Sequence, residues 1–289
     1  MDIKALLAGL AFAFMWSSAF TSARIIVTNA PPLTISALRF LIAGLIAVTI
    51  ARVLGQSLRL TPQQWRLTIL FGICQNALYL GLNFIAMQTV EASLAAIIAS
   101  SLPLWVALAG WMISGETIRP LGVAGLVAGI AGVALIMGTR LSGGVDPVGV
   151  ALCGIGVLAL TFATMAVRGA SSGGNVMTVV GFQMLVGSAA LWVPALLFET
   201  WEVNWSPKVV MALLYTIFVP GLLATVIWFW LVRRIGTTRA ATFHFLNPFL
   251  GVAIAGLFLG EALGTLDLVG VVIITFGILA VQLSKARPA

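Results

Sequence analysis

The chain has 289 residues, of which 61% are hydrophobic and only 8% are charged, and its formal net charge is +7. Because a soluble domain carries roughly 25% charged residues, this composition excludes a water-soluble protein and indicates an integral membrane protein with little mass outside the bilayer. The positive charge fits the cytoplasmic charge bias of membrane proteins, and no nucleic-acid binding is expected, since no basic cluster lies beside aromatic residues.

Ten apolar runs follow one another, each close to the roughly 20 residues that cross the hydrocarbon core of a bilayer. A signal peptide is the alternative for the first run, but that run is too long and ends with Arg24 instead of small residues. The predicted spans are about Ala5–Val27, Leu33–Leu54, Trp65–Met87, Ala92–Ile113, Leu121–Thr139, Val148–Val167, Val176–Phe198, Lys208–Val232, Ala240–Leu259 and Thr265–Leu283. Continuous runs exclude a transmembrane β-barrel, so we predict an all-α integral membrane protein.

The hairpin of spans four and five, from Ala92 to Gly138, recurs 145 residues later. At this offset Ala95, Ala96, Pro103, Gly115, Glu116, Gly125 and Gly132 match Ala240, Ala241, Pro248, Gly260, Glu261, Gly270 and Gly277. We interpret the match as an internal duplication. It predicts a first five-helix repeat at residues 1–141, a Gly-rich linker at 142–147 and a second five-helix repeat at 148–289.

Two homologous halves with an odd number of spans insert in opposite orientations. With ten spans, eleven of the 15 Lys and Arg residues fall on the side of the termini, which predicts that both termini are cytoplasmic. Inverted repeats are typical of alternating-access carriers, whose substrate lies near the midplane between the halves. A membrane scaffold or a lipid-embedded enzyme subunit is the alternative.

Several short elements in order along the chain resemble a known family. They are Trp16-Ser-Ser-Ala-Phe20, Arg39-Phe40, Pro103, Gly115-Glu116, Pro248 and Gly260-Glu261. Together with the duplication they resemble the EamA-type members of the drug/metabolite transporter superfamily, and within it the YddG-type exporters of aromatic and other neutral amino acids. The resemblance implies ten transmembrane helices as two inverted five-helix repeats around a central cavity, lined by spans one, three, four, six, eight and nine.

No Asp or Glu lies near the middle of any predicted span. A carrier of organic cations needs a buried carboxylate, and a carrier of phosphorylated sugars needs several cations in its cavity. The only cations near membrane depth are Arg24 and Arg39, which we interpret as headgroup anchors, with substrate binding as the alternative. The remaining polar groups suit a neutral or zwitterionic substrate.

The candidate substrate-binding residues are polar or aromatic groups at membrane depth, for each of which packing between helices is the alternative. They are Trp16, Ser17, Asn76, Tyr79, Asn83, Ser100, Trp228, His244 and Asn247. Pro103 and Pro248 remove a backbone donor and are predicted to break their helices and to take part in gating.

His244 and Asn247 have no polar counterpart in the first repeat, so we expect recognition to depend more on the second. His244 either hydrogen-bonds substrate or a neighbouring helix, or carries a coupling proton. Glycines in spans five and ten predict close packing between these spans or within their own halves, away from the cavity.

The sequence therefore predicts a carrier in the cytoplasmic (inner) membrane that exports neutral amino acids or related metabolites by alternating access. The alternatives are an exporter of other small metabolites or drugs, a channel, and a non-transporting scaffold. No enzyme activity, metal or cofactor is expected, and the partners are a small-molecule substrate and the lipid bilayer, with a monomer as the expected state.

Overall fold

The computed structural model describes residues 3–115, 117–166, 174–235, 240, 242–262 and 264–286, and all regular structure in these ranges is helical. Helices α1, α2, α5, α6, α7 and α10 are continuous, and α3, α4, α8 and α9 contain a π-helical segment or a break. Their bounds are α1 Ile3–Val27, α2 Pro32–Val53, α3 Pro62–Ala86, α4 Ala92–Ser100 and Leu102–Ser114, α5 Pro120–Ser142, α6 Pro147–Ala166, α7 Val176–Phe198, α8 Pro207–Ile235, α9 Thr242–Leu246 and Asn247–Leu259, and α10 Thr265–Ala286.

In these ranges nine helices are long and apolar enough to cross a membrane, and a shorter apolar helix, Phe243–Leu259, lies at the position of the ninth predicted span. The predicted all-α membrane class is confirmed. Glu116, which the duplication pairs with Glu261, lies outside the described residues.

The two repeats deviate from regular α-helix at equivalent positions. A π-helical segment begins at Gly72 in α3 and at Ile217 in α8, and the offset between them is again 145 residues. The breaks also correspond: the second segment of α4 follows Ser101, and that of α9 follows Leu246. The duplication thus extends to local backbone geometry.

Both broken helices end in the same way. Gly115 has φ of 63° and Gly260 has φ of 68°, a left-handed conformation that glycine adopts without the steric cost borne by other residues. The predicted Gly-Glu helix ends therefore have a physical basis in the glycine.

The packing of the helices has an approximate twofold relation. α1 packs on α8 and α9, while α6 packs on α3 and α4; α2 packs on α7, and α5 packs on α10. Adding or subtracting five from each helix number turns these pairs into one another, as two inverted repeats require.

Glycine brings α5 and α10 into close contact. A β-carbon built on Gly277 would lie 2.7 Å from the carbonyl oxygen of Gly125, and one on Gly132 would lie 3.0 Å from that of Gly270. Small residues permit such approach where hydrophobic association between helices is weak. The predicted packing of the fifth and tenth spans is confirmed.

Candidate functional site

A cavity of about 80 Å³ lies between α1, α2, α3, α7 and α8. Its polar lining includes Arg39, Gln75, Asn76, Tyr79, Asn83, Gln183, Thr216 and Thr225. Its apolar lining includes Trp16, Phe20, Phe40, Phe84, Met87 and Met184. Four candidate binding residues therefore lie at this cavity: Trp16, Asn76, Tyr79 and Asn83.

The π-helical segment of α3 provides much of the polar wall. Its i→i+5 hydrogen bonds widen the helical turn, and Gln75, Asn76, Tyr79 and Leu80 all line the cavity. Gln75 precedes Tyr79 by four residues, so ordinary α-helical spacing also places it on this face. It is a lining residue that the prediction leaves out, and its amide at membrane depth is the signal that could have found it.

Two amides of this wall are held by the backbone. Asn76 donates from Nδ2 to the carbonyl of Gln183 at 2.9 Å, and Asn83 donates from Nδ2 to the carbonyl of Tyr79 at 2.7 Å. Gly187 makes the first contact possible, since a β-carbon there would lie 2.3 Å from Cβ of Asn76. The Oδ1 atom of Asn83 is buried and accepts no hydrogen bond from the described residues.

Arg39 is a lining residue, and its interpretation as a headgroup anchor is wrong. It is only 7% exposed, lies within α2 and faces the cavity. Membrane depth alone did not reveal this position, because the direction in which a side chain leaves its helix depends on how α2 packs against α3.

Trp228 and His244 lie beside the cavity in an aromatic cluster that we define as Phe12, Trp16, Trp228 and His244. The His244 ring is 5.3 Å from those of Phe12 and Trp228 and 6.1 Å from that of Trp16. His244 Nδ1 also lies 2.9 Å from Nδ2 of Asn247. Trp16 is the member of the cluster that also lines the cavity.

Three other candidate residues make contacts between or within helices. Ser17 donates from its hydroxyl to Asn247, with its carbonyl oxygen at 3.4 Å and its Oδ1 at 3.5 Å, and so joins α1 to the break in α9. Ser100 donates to the carbonyl of Ala96 in its own helix at 2.6 Å. These contacts correspond to the packing alternative.

The predicted helix breaks occur at Pro103 and Pro248, each in the first turn of the second segment of its helix. Neither proline lines the cavity described above. Their gating role stays a prediction.

The predicted set of lining helices does not hold for this cavity. α2 and α7 contribute lining residues, whereas α4, α6 and α9 contribute none among the described residues. The polar lining comes from both repeats, with Arg39, Gln75, Asn76 and Asn83 from the first and Gln183, Thr216 and Thr225 from the second, and the expected dependence of recognition on the second repeat stays a prediction. The prediction placed α4 and α9 at the cavity wall, whereas in the structure these two helices pack against each other.

Carboxylates join the two repeats at the end of the bundle where a second cavity, of about 620 Å³, opens between residues that include Arg24, Glu91 and Glu261. Glu261, after α9, accepts backbone N–H hydrogen bonds from Ala92 and Ser93 at the start of α4, both at 2.8 Å. Arg140 forms ion pairs with Glu91 at 2.8 Å and with Asp267 at 2.9 Å. These contacts tie the two repeats together at one face. In the ranges that the structure describes, no three His, Cys, Asp or Glu side chains are placed to hold a metal ion.

Comparison with known proteins supports a transporter. The profile of the EamA-like transporter family matches residues 3–138 and again residues 147–283. The chain is 27% identical to the uncharacterized transporter YvbV of Bacillus subtilis, over 95% of this chain and 90% of that protein. It is 26% identical to the uncharacterized inner membrane transporter YedA of Escherichia coli K12, over 94% and 88%.

Two more distant proteins are also similar to this chain. The chain is 24% identical to protein PecM of Dickeya dadantii, over 87% of this chain and 83% of that protein. A protein of known crystal structure superposes with a TM-score of 0.71 at 22% identity, covering 98% of both chains. That last similarity concerns the fold alone.

Proposed function

The chain belongs to the EamA-like transporter family, and from this premise we propose that it exports neutral amino acids, or related metabolites, by alternating access. The amino acids proposed are aromatic and other hydrophobic ones. The chain is a multi-pass membrane protein of a family of transporters, whose substrates are small molecules. Export of other small metabolites or of drugs is the second candidate within the same superfamily.

The composition of the cavity wall carries the substrate proposal. The described lining residues include amides, hydroxyls, aromatic rings and one arginine, but no carboxylate. An organic cation would have no counter-ion there, and a phosphorylated sugar would meet a single positive charge. A zwitterion with an apolar side chain matches both parts of the wall, with Trp16 and Phe20 placed to contact the side chain.

The proposed membrane orientation rests on the distribution of basic residues. Most of them lie at the loops on the side of both termini, which supports cytoplasmic termini in the cytoplasmic membrane. In that orientation the end that carries Glu261 and Arg140 faces away from the cytoplasm. We propose residues 1–141 and 148–289 as the two repeats, and a monomer as the working unit.

His244 is proposed to position neighbouring side chains and not to carry a coupling proton. Its ring packs among Phe12, Trp16 and Trp228, and no carboxylate lines the described cavity to complete a proton relay. Transport by His244→Gln under an imposed pH gradient is expected to keep the gradient dependence of the unmodified protein. Loss of that dependence alone, with counterflow preserved, would show proton coupling through this residue.

Counterflow in proteoliposomes tests the transport proposal. Purified protein is reconstituted into vesicles loaded with unlabelled phenylalanine, leucine or other neutral amino acids, and uptake of labelled compound is measured. Saturable, transient accumulation is expected for aromatic and hydrophobic amino acids. Asn83→Ala is expected to reduce it strongly, whereas Asn204→Ala, which alters an exposed loop residue, is the matched control.

Accumulation of drugs or nucleobases but of no amino acid would favour the second candidate. The absence of counterflow with every compound in such a panel would reject the carrier proposal in favour of a scaffold. Rates that do not saturate would indicate a channel.

A further inference from the structure

Arg39 is a buried cation whose guanidinium lies between two aromatic rings. Its central carbon is 4.2 Å from the centre of the Phe40 ring and 4.3 Å from the centre of the Phe84 ring. Cation–π contacts of this kind hold the guanidinium plane in place. They leave its N–H groups unused, and Nε and Nη2 are buried without a hydrogen bond to the described part of the chain.

The described carboxylates that make side-chain contacts are all engaged elsewhere. Glu91 and Asp267 pair with Arg140. Glu199 accepts N–H hydrogen bonds from Leu33 and Thr34 at the start of α2, at 2.8 and 2.7 Å.

The remaining described acids are likewise not partners of Arg39. Asp146 binds Thr89 and the start of α6, and Glu261 binds the start of α4. Glu202 lies exposed in a loop. In the ranges that the structure describes, no carboxylate of the protein pairs with Arg39.

An unpaired buried charge is costly, by several kcal/mol even after relaxation. An anion that enters the cavity offsets this cost and finds N–H donors already oriented. Guanidinium and carboxylate match as a bidentate pair, and such charge-assisted hydrogen bonds are stronger than those between neutral groups.

We propose that Arg39 binds the carboxylate of the transported substrate, and that the free Oδ1 of Asn83 accepts a hydrogen bond from its ammonium group. This inference rests on the proposed function and assigns the two ends of the zwitterion to two residues of the first repeat. Because the described lining of the cavity holds one cation, the ligand carries one carboxylate.

Binding of three matched compounds to the purified full-length protein tests the assignment. The probes are L-phenylalanine, L-phenylalaninamide, which lacks the carboxylate, and 3-phenylpropionate, which lacks the ammonium group. We expect phenylalanine to bind best, and the amide to bind about tenfold to a hundredfold more weakly. Arg39→Gln is expected to weaken the binding of phenylalanine by a similar factor and to leave the affinity for the amide nearly unchanged.

Arg52→Gln is the matched control, because Arg52 is an exposed arginine near the end of the same helix. It is expected to leave the affinity of all three probes unchanged. Arg39→Lys is expected to recover part of the affinity for phenylalanine, since lysine keeps the charge but not the planar pair of donors.

Thermal stability of the empty protein separates ligand binding from a structural role. Removing an unpaired buried charge is expected to preserve or raise the melting temperature of Arg39→Met, whereas phenylalanine no longer stabilises this variant. A large loss of melting temperature in the empty Arg39→Met protein, with normal binding by Arg39→Gln, would overturn the proposal.

The outcomes also distinguish this inference from the proposed function. Equal binding of phenylalanine and its amide, unchanged in Arg39→Gln, would refute the role of Arg39 and leave amino-acid export in place. Binding of 3-phenylpropionate but not phenylalanine, lost in Arg39→Gln, would confirm Arg39 as a carboxylate ligand and reject amino acids as substrates. Failure of all carboxylates to bind would reject both.

Discussion

Glu261→Gln is expected to weaken the contact that joins the two repeats at one end of the bundle. The carboxylate accepts two backbone N–H hydrogen bonds at 2.8 Å, from Ala92 and Ser93, at the positive end of a helix. Hydrogen bonds to a charged group contribute about 1.5–3 kcal/mol each, and a negative charge at a helix N-terminus adds about 0.3–1 kcal/mol. Glutamine keeps one acceptor oxygen and loses the charge, so the substitution removes about 2 kcal/mol from the arrangement in which the repeats are joined here.

This loss converts directly into a population. A difference of about 2 kcal/mol changes the ratio of joined to separated molecules by a factor of about 30. If the joined arrangement alternates with one in which the repeats separate at this end, a probe that reaches the inner cavity faster in the separated form reports the change. The cavity-lining residue Ala19 provides a place for such a reporter.

The assay measures the labelling rate of Ala19→Cys by a membrane-impermeant maleimide added outside the cell, in a background without Cys74 and Cys153. Glu261→Gln is expected to raise this rate at least about tenfold. Glu202→Gln, an exposed acid on the same face, is expected to leave it unchanged. Equal rates in Glu261→Gln and the unmodified protein, or an equal rise with Glu202→Gln, would refute the reasoning.

Three further predictions concern packing, pH and symmetry. Gly277→Ala is expected to lower the melting temperature in detergent, since its β-carbon would lie 2.7 Å from the backbone of α5 and overpacking costs about 1–3 kcal/mol. Gly138→Ala is the control, because a β-carbon at Gly138 meets nothing within 4 Å, and it is expected to preserve the melting temperature. Hydrogen bonds from Thr89 and from the start of α6 lower the pKa of Asp146, so its stabilising contribution is present above its ordinary pKa and lost as the pH falls through the lowered one. Melting curves of Asp146→Asn are therefore expected to lose part of the pH dependence seen below about pH 4. Glu116→Gln, at the position equivalent to Glu261 in the inverted repeat, is expected to lower the Ala19→Cys labelling rate from outside, and a rise would contradict the exchange of roles between the halves.

Hydrophobic run length and the 145-residue repeat were enough to predict the fold. Span length follows from bilayer thickness. Pro103 and Pro248 predict their helix breaks because proline has no backbone N–H donor in any packing arrangement. The glycines of α5 and α10 similarly predicted where two helices approach. These features are local, so they can be read before the helices are assembled.

The site was predicted less completely, because side-chain direction depends on packing and on irregular turns. Gln75 lines the cavity from the π-helical segment of α3 and shares a face with Tyr79, four residues later, but spacing alone does not show which face of a helix meets a cavity. Arg39 resembled an anchor by depth, but α2 turns it inward between Phe40 and Phe84. His244 is a candidate binding residue because it is the one histidine in the sequence, but its ring packs against those of Phe12, Trp16 and Trp228 beside the cavity.

The two halves share a backbone but not a chemistry, and this difference bears on how the carrier moves its substrate. At the offset of 145 residues, Arg39 corresponds to Met184 and Asn83 to Trp228, so the proposed ligands of the carboxylate and ammonium groups have uncharged counterparts of different chemistry. If the substrate stays bound to α2 and α3 while the halves rearrange, its strongest contacts need not break during transport. The opposite wall carries hydroxyls and an amide but no charge, and its apolar part, which includes Met184 and Pro220, slides past the substrate at little cost, since apolar contacts have no fixed direction. An inverted scaffold with its charged ligand in one half therefore combines a symmetric motion with continuous neutralisation of Arg39 by its substrate.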